Sequence, residues 1–461
     1  MKTVLCPVAA GARRWPLAEA LITPQRTWTY RELDDAVALT VEQLRSRGVK
    51  RGELIAVHLP NGWRYPVVLF ALLRLGACAV LTNLRLPPAA VAKQLRDAGV
   101  RRAIVAAGSK LTGIHRISVD DITAPSRIAA GGAKNISLNA PAVVLFTSAS
   151  TGAAKAVALS FGNLHANARG SNRNIRLRRG DRWQLALPLY HVSGLGVLLR
   201  AWLAGAAVVI GPRDDALENA THISLVPTQL RRLLTQPRSA QQLRRMKAIL
   251  LGGAAADARL IAKARAAGIR VLTTYGMTEM ASQVCTLPPT APSGKWFTSG
   301  RVLPQRELKL SSAGEILVRG PCRFLGYLVR GRLQRLPPKR WFATGDLGAL
   351  DRAGYLTVLG RKDNLFISGG ENIQPEEIEQ ALLALPGISA AVIVPRADAE
   401  FGARPVAFVG SARKIPAEKL RASLQKKLPA YKVPVEFLPW PKDVPAGLKL
   451  SRPFFAACLP R

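Results

Sequence analysis

Over roughly its first three hundred residues the chain alternates short apolar runs with longer segments whose apolar residues fall at helical spacing. That rhythm restricts the possible folds more than any other feature. Thr27-Trp28-Thr29-Tyr30 reads as a strand, and Arg31-Glu32-Leu33 opens a helical pattern that stops at Gly48. The apolar run 54–59 predicts a strand, 67–75 a helix closed by Gly76, and 78–81 a further strand. Strand candidates recur at 142–146, 183–187, 207–210, 222–226, 248–251 and 270–273, with helical patterns between them. Strands joined through helices pair in parallel, so the expectation is α/β: a large N-terminal region of mixed, mostly parallel sheets with helices on their faces. After about Gly300 the texture becomes strand–turn–strand, with runs at 307–310, 315–318 and 355–358. From about Asp363 a last α+β unit begins, with helices at 375–385 and 416–428 and strands at 390–394 and 406–409. The expected division is a large domain at 1–362, with a β-rich subdomain at about 300–362, and a small mobile C-terminal domain at 363–461.

Lys and Arg number 66 against 29 Asp and Glu, a formal net charge of +37 over 461 residues. Such an excess suits anionic partners. The cations are spread along the chain without the basic block of a nucleic-acid arm, so a nucleic-acid partner is not expected, and a compositional bias toward arginine accounts for the charge equally well. The five cysteines, Cys6, Cys78, Cys285, Cys322 and Cys458, form no C-x-x-C pair, which argues against a zinc site or a disulfide framework and fits a reducing cytoplasm. The N-terminal apolar run is short and broken by Pro7, unlike a secretory signal. The most apolar stretch, 192–210, carries Arg200 in its middle and reads as a buried segment rather than a span. Oligomeric state is open, and a homo-oligomer is compatible with the sequence.

Several loops carry chemistry. Thr147-Ser148-Ala149-Ser150-Thr151-Gly152-Ala153-Ala154-Lys155 follows a buried strand. Small residues, hydroxyls and a lysine suit an anion, although a polar surface turn has the same composition and the P-loop spacing is absent. Gly252-Gly253-Ala254 ends another strand with a backbone bare enough to lie against a flat ring. Tyr275-Gly276-Met277-Thr278-Glu279, Thr344-Gly345-Asp346, Gly360-Arg361-Lys362-Asp363, Ser368-Gly369-Gly370 and Gly447-Leu448-Lys449 follow in order.

In order and spacing these blocks resemble the adenylate-forming superfamily of acyl-CoA synthetases, luciferases and peptide-synthetase adenylation domains. The resemblance covers nearly the whole chain and implies ATP, Mg²⁺ and coenzyme A as the reactants and ion, and a small organic acid as the partner. It implies that Thr147, Ser148, Ser150, Thr151, Gly152 and Lys155 bind phosphates, with Thr147 and Lys155 also catalytic. Gly253, Ala254, Tyr275 and Gly276 would face adenine, Thr278 phosphate, and Glu279 the metal; Asp346 would hold the ribose, and Arg361 would reach the ribose or a phosphate. Asp363 would be the hinge, Gly369 and Gly370 would meet the pantetheine arm, and Lys449 would bridge the acid and the α-phosphate. Ala149 and Ala154 replace a glycine and a proline of the usual loop. The acidic residues after Pro375 read as first-turn helix residues with a structural role.

The stretches 187–196, 221–230, 282–285 and 363–375 resemble the o-succinylbenzoate–CoA ligases within that superfamily. That likeness makes Arg200, helped by Ser224, the candidate to bind the carboxylate that is not activated; the alternative is that Arg200 satisfies an internal acid or carbonyl. His191 would line the acyl pocket, or else be a core histidine. A ligase for another aryl or medium-chain acid is the alternative activity.

Overall fold

The strand Pro141–Thr147 ends at the first of these loops, and its neighbours fix where that loop points. The computed structural model describes residues 2–123, 134–147, 154–254, 257–413, 415–444 and 451–460. Ser148, Ala149, Ser150, Thr151, Gly152 and Lys449 therefore lie outside the described residues. Pro141–Thr147 sits inside an eight-stranded sheet, parallel to Cys78–Leu81 and antiparallel to Lys155–Ser160. A nine-stranded sheet runs in parallel from Glu19–Ile22 through Ala207–Val209, Arg182–Gln184, His222–Leu225 and Ala248–Leu251 to Val271–Met277. It then turns antiparallel at Ser282–Thr286.

The helices Tyr30–Ser46, Arg64–Leu75, Phe161–Ile175 and Val192–Leu203 share one core with strands of both sheets. Tyr30–Ser46 starts where its sequence dictates: Thr29 accepts a hydrogen bond from the Glu32 amide, and the Glu32 carboxylate accepts one from the Thr29 amide at 2.8 Å. Trp202 packs edge-on against Phe70, with ring centroids 5.1 Å apart, and donates its indole N–H to the Ala20 carbonyl at 2.8 Å. Truncating such an aromatic costs about 3–5 kcal/mol. The helix Val192–Leu203 is thereby locked, and with it the two ends that carry His191 and Arg200. No helix among the described residues is long and apolar enough to cross a membrane.

Glu307–Leu310, Glu315–Arg319, Phe342–Leu350 and Leu356–Arg361 form an antiparallel four-stranded sheet. The C-terminal region packs the helices Pro375–Leu383 and Ala417–Gln425 on one core of a three-stranded sheet, whose hairpin Ile388–Asp398/Gly402–Ser411 is longer than the apolar runs predict. The reason is that its outer half, from Pro395 to Pro405, alternates polar residues that periodicity cannot separate from a loop. Arg182–Gln184 is shorter than expected because after Gln184 the chain leaves the ladder. The carbonyls of Ala186 and Leu187 instead accept hydrogen bonds from the Gln229 and Asn61 side chains.

Candidate active site

Thr147 and Lys155 lie opposite each other across the ladder, so the loop between them starts and ends on one sheet edge. The Lys155 ammonium sits 5.5 Å from the ring centroid of Tyr327, and the Tyr327 hydroxyl donates to Glu279 Oε1 at 3.2 Å. Burial, and then the neighbouring Glu279 charge, raise the Tyr327 hydroxyl well above the usual phenol range, so it stays a donor. One tyrosine thus joins the lysine of the first loop to the glutamate of the Tyr275 block. Tyr327 carries no motif, and the register of Lys155–Ser160 against Gly326–Val329 is what brings it there.

Val271–Met277 continues past the expected strand end and carries the Tyr275 block with it. At Gly276 the next strand approaches so closely that a Cβ would lie 2.1 Å from the Ser282 carbonyl oxygen. Tyr275 is buried, and its hydroxyl donates to Asp346 Oδ2 at 2.6 Å. Arg361 lies opposite Asp346 in the ladder and donates to its other oxygen at 3.1 Å, to the Thr344 carbonyl at 2.9 Å and to Asp363 at 2.8 Å. Gly345 keeps φ at 72° beneath the Arg361 guanidinium, a left-handed conformation suited to glycine. Tyr275, Asp346, Arg361 and Asp363 are therefore one hydrogen-bonded chain. Gly252 and Gly253 end the adjacent strand, and a Cβ on Gly252 would meet Thr274 at 2.7 Å, which places the 252–254 loop beside that chain. The loop lies at the carboxyl end of a parallel sheet, where ligands of such sheets gather.

Arg200 is 1 % exposed. Its guanidinium lies 4.7 Å from the Trp183 ring centroid and donates to Gln283 Oε1 at 3.2 Å, while its Nε has no hydrogen-bond partner among the described residues. No carboxylate pairs with it among the described residues; of the alternative partners, an internal acid or a carbonyl, the structure shows a carbonyl oxygen, that of the Gln283 side chain. Burial, and then the charge of Arg306, pull its pKa down to about 9. Gln283 is itself held by Ser171 at 2.6 Å and Thr286 at 2.7 Å. It also pairs directly with Gly276 across the ladder, so the buried cation and the Tyr275 block are one strand apart. Trp183 stacks on His222, and Ser224, two residues on, faces the same side of the sheet with a buried hydroxyl that has no hydrogen-bond partner among the described residues. His191 is half-buried at the start of the helix that ends near Arg200, with its ring 4.7 Å from Tyr190. The loop before it is clamped by Asn61, which donates to the Leu187 carbonyl and accepts from the Leu189 amide, both at 3.0 Å. Sequence patterns single out neither Asn61 nor the anchoring role of Gln283.

Gly369 and Gly370 form the two-residue turn of the hairpin Phe366–Ser368/Glu371–Ile373, both at positive φ, and Gly369 rests on Phe401. Their contacts are to the C-terminal sheet rather than to the Tyr275–Asp346 chain. Among the described residues no cluster of three or more metal-ligating side chains occurs. The half-buried Glu279 beside Lys155 and Thr278 nevertheless fits magnesium, which is commonly held by one or two carboxylates together with substrate phosphates.

Residues 8–328 match the AMP-binding enzyme family, and residues 377–446 match the AMP-binding enzyme C-terminal domain. The chain belongs to the AMP-binding enzyme family. Among relatives in this family is a 2-succinylbenzoate–CoA ligase of Bacillus cereus, 34 % identical over 446 residues that cover 91 % of this chain and 93 % of the relative. The fold is similar to o-succinylbenzoate CoA synthetase of Bacillus subtilis in complex with the acyl-adenylate intermediate. The TM-score is 0.88 at 31 % identity, over 99 % of this chain and 98 % of that one. The same Bacillus subtilis enzyme in complex with ATP and magnesium ion aligns with a TM-score of 0.87 at 31 % identity, over 98 % and 99 % of the two chains. The Tyr275 block lies in the first matched region, Asp346 and Arg361 lie beyond its end, and Asp363 precedes the second.

Proposed function

We propose that the protein is an o-succinylbenzoate–CoA ligase of the cytoplasm, acting in menaquinone biosynthesis. It forms an acyl-adenylate from ATP and then a thioester with coenzyme A. The observation that carries the acid specificity is Arg200, a buried guanidinium without a carboxylate partner among the described residues, one strand from the Tyr275 block. A buried cation of this kind is costly until an anion pairs with it. o-Succinylbenzoate brings two carboxylates, one to be activated and one to pair with Arg200 and the Ser224 hydroxyl.

In the first step a carboxylate oxygen of the succinyl arm attacks the α-phosphorus of ATP and pyrophosphate leaves. Asp346, pre-oriented by Tyr275 and Arg361, accepts hydrogen bonds from the ribose hydroxyls. The loop 147–155 and Thr278 hold the phosphates, and Lys449 bridges the acid and the α-phosphate, stabilising the charge that moves between them. Magnesium held at Glu279 would neutralise phosphate charge there. His191 lines the acyl pocket. In the second step the thiolate of coenzyme A attacks the acyl carbonyl and AMP leaves. The domain reading, with 1–362 as the large unit and 363–461 as the small one, makes Asp363 the hinge that withdraws Lys449 and delivers the Gly369–Gly370 turn to the pantetheine arm.

Pyrophosphate release tests the proposal, measured with ATP, magnesium and a panel of acids, with and without coenzyme A. Turnover should be greatest with o-succinylbenzoate. Better turnover of an aryl or medium-chain monocarboxylate would replace the substrate assignment, and no turnover with any acid would sink the activity itself.

A further inference from the structure

Glu279 stands on a turn that depends on support from outside. The turn is a single 3₁₀ helix, Thr278–Met280, between the paired strands Val271–Met277 and Ser282–Thr286. The chain reverses there through Ala281 at φ 55° and Ser282 at φ 118°, both left-handed and neither a glycine. Such backbone is costly for residues with a Cβ and persists only where the surroundings hold it. Donors from other parts of the chain do so. The Asn167 side chain donates to the Met280 carbonyl at 2.8 Å, and the Phe324 amide to the Glu279 carbonyl at 2.8 Å. The Tyr327 hydroxyl, at 3.2 Å from Glu279 Oε1, acts on the carboxylate itself. Phe324 and Tyr327 belong to one segment, which therefore grips Glu279 by backbone and by side chain. That segment is fixed from two sides. Tyr327 lies opposite Val157 in the large sheet and opposite Gln334 in the hairpin Gly326–Val329/Arg332–Arg335. Gly326 permits the hairpin: its φ is 152°, and a Cβ there would lie 1.9 Å from the Gln334 carbonyl oxygen. The Tyr327 ring packs edge-on against Phe324 with centroids 4.9 Å apart, and Phe324 against Phe342 at 5.2 Å. The Lys155 ammonium lies over the same ring at 5.5 Å. Packed in this way, the phenol is held toward the glutamate.

We propose that Tyr327 is a positioning residue for Glu279: its hydroxyl fixes the orientation in which the carboxylate meets magnesium, beside Lys155. Partners that orient a metal-ligating side chain commonly matter by about 10- to 100-fold in metal affinity. Magnesium demands near-ideal octahedral geometry, so a carboxylate left to rotate is a poor ligand for it. This inference rests on the reading of Glu279 as the metal's carboxylate given above.

The test uses the full chain and reads binding rather than turnover. ATP is titrated calorimetrically into the protein without acid or coenzyme A, once with magnesium and once with EDTA. The ratio of the two affinities is the magnesium-dependent gain. Y327F removes one oxygen and keeps the ring against Phe324 and Lys155. It should cut that gain about tenfold, with the affinity in EDTA within about twofold of wild type. E279Q should cut the gain at least as far. The double variant E279Q/Y327F should match E279Q, since a residue acting only through Glu279 has nothing left to orient. Thioester formation from supplied acyl-adenylate and coenzyme A, a step without the pyrophosphate group, should stay within about twofold in Y327F. An unchanged gain in Y327F where E279Q loses it would overturn the assignment. So would equal weakening of ATP with and without magnesium, or a double variant weaker than E279Q by the full Y327F factor. A Y327F protein that unfolds below the assay temperature would also overturn it, by showing the hydroxyl to be a tie of the fold. Should E279Q itself keep the gain, the underlying reading of Glu279 falls and takes this inference with it, a result distinct from failure at Tyr327 alone.

Discussion

Replacing Arg200 with methionine should make the unliganded protein more stable and the enzyme worse. The guanidinium is 1 % exposed, has one side-chain hydrogen-bond acceptor in Gln283 and no carboxylate partner among the described residues. Burial, and then the Arg306 charge, bring its pKa from the usual value above 12 to about 9. Each pH unit is worth about 1.4 kcal/mol, so the displacement corresponds to a cost on the order of 5 kcal/mol at neutral pH. Methionine keeps most of the side-chain length but gives up the Trp183 stacking, so a net gain of about 1–2 kcal/mol is expected. The sign with pH follows from linkage. Between pH 9 and 12 the unfolded chain binds the proton that the folded chain has lost, so the wild type gains stability as pH rises and the advantage of R200M shrinks above about pH 9. Chemical denaturation at pH 7 and pH 10 measures this, alongside the KM for o-succinylbenzoate and for ATP. The acid KM should rise by well over tenfold with the ATP KM nearly constant. A variant destabilised by several kcal/mol at pH 7, or one with an unchanged acid KM, would show that the cation is satisfied within the fold and is not waiting for a ligand.

Asp346→Asn leaves Tyr275 a partner but removes the charge that ribose hydroxyls would meet; the KM for ATP should rise on the order of tenfold while the melting temperature changes little. Glu279→Gln should shift the magnesium concentration needed for half-maximal pyrophosphate release upward by about tenfold or more, read from a metal titration at saturating ATP. His222, buried against Trp183, is held well below the usual imidazole range chiefly by burial, so its folded form refuses a proton that the unfolded chain accepts. Stability should therefore fall as pH drops below about 6.5, and His222→Gln should flatten that slope in denaturation curves taken between pH 5 and 7.

How much of this was legible in sequence depends on the range over which each feature is decided. The Thr29–Glu32 capping box, the Tyr275 block and the Thr344-Gly345-Asp346 turn are set within a few neighbouring residues, so their local pattern is their signal. Arg200 was conspicuous for the same local reason, a cation within an apolar run. Its anchor was not, because Gln283 reaches it only through the pairing of Ser282–Thr286 with Val271–Met277 and the packing of the helix Val192–Leu203 over both. Tyr327 meets Glu279 across 48 residues, and Asn61 meets the loop before His191 across 126. Arg452 finds Glu376 across 76 residues, a structural partner for a first-turn acid that the local pattern could not name. Register decides such contacts, and register is a property of two segments at once.

The charge imbalance gives these contacts a further meaning. With 29 acids against 66 cations, most arginines and lysines cannot find a carboxylate, so an unpaired cation on the surface marks nothing by itself; Arg200 is informative because it is also buried. The informative residue is the acid that gathers several donors. Asp34, with Arg74 and Lys134, and Asp181, with Lys247 and the Arg178 amide, do so at 4 % and 1 % exposure; they are closed and hold the large region together. Asp346, Glu279 and Glu376 are only half-buried, each with donors from a different sequence block. A half-open carboxylate fixed by long-range donors is where the proposed function puts what arrives later: a sugar hydroxyl at Asp346, a cation at Glu279. In a chain this poor in acids, where a carboxylate remains partly open is a stronger guide to chemistry than where an exposed positive charge is found.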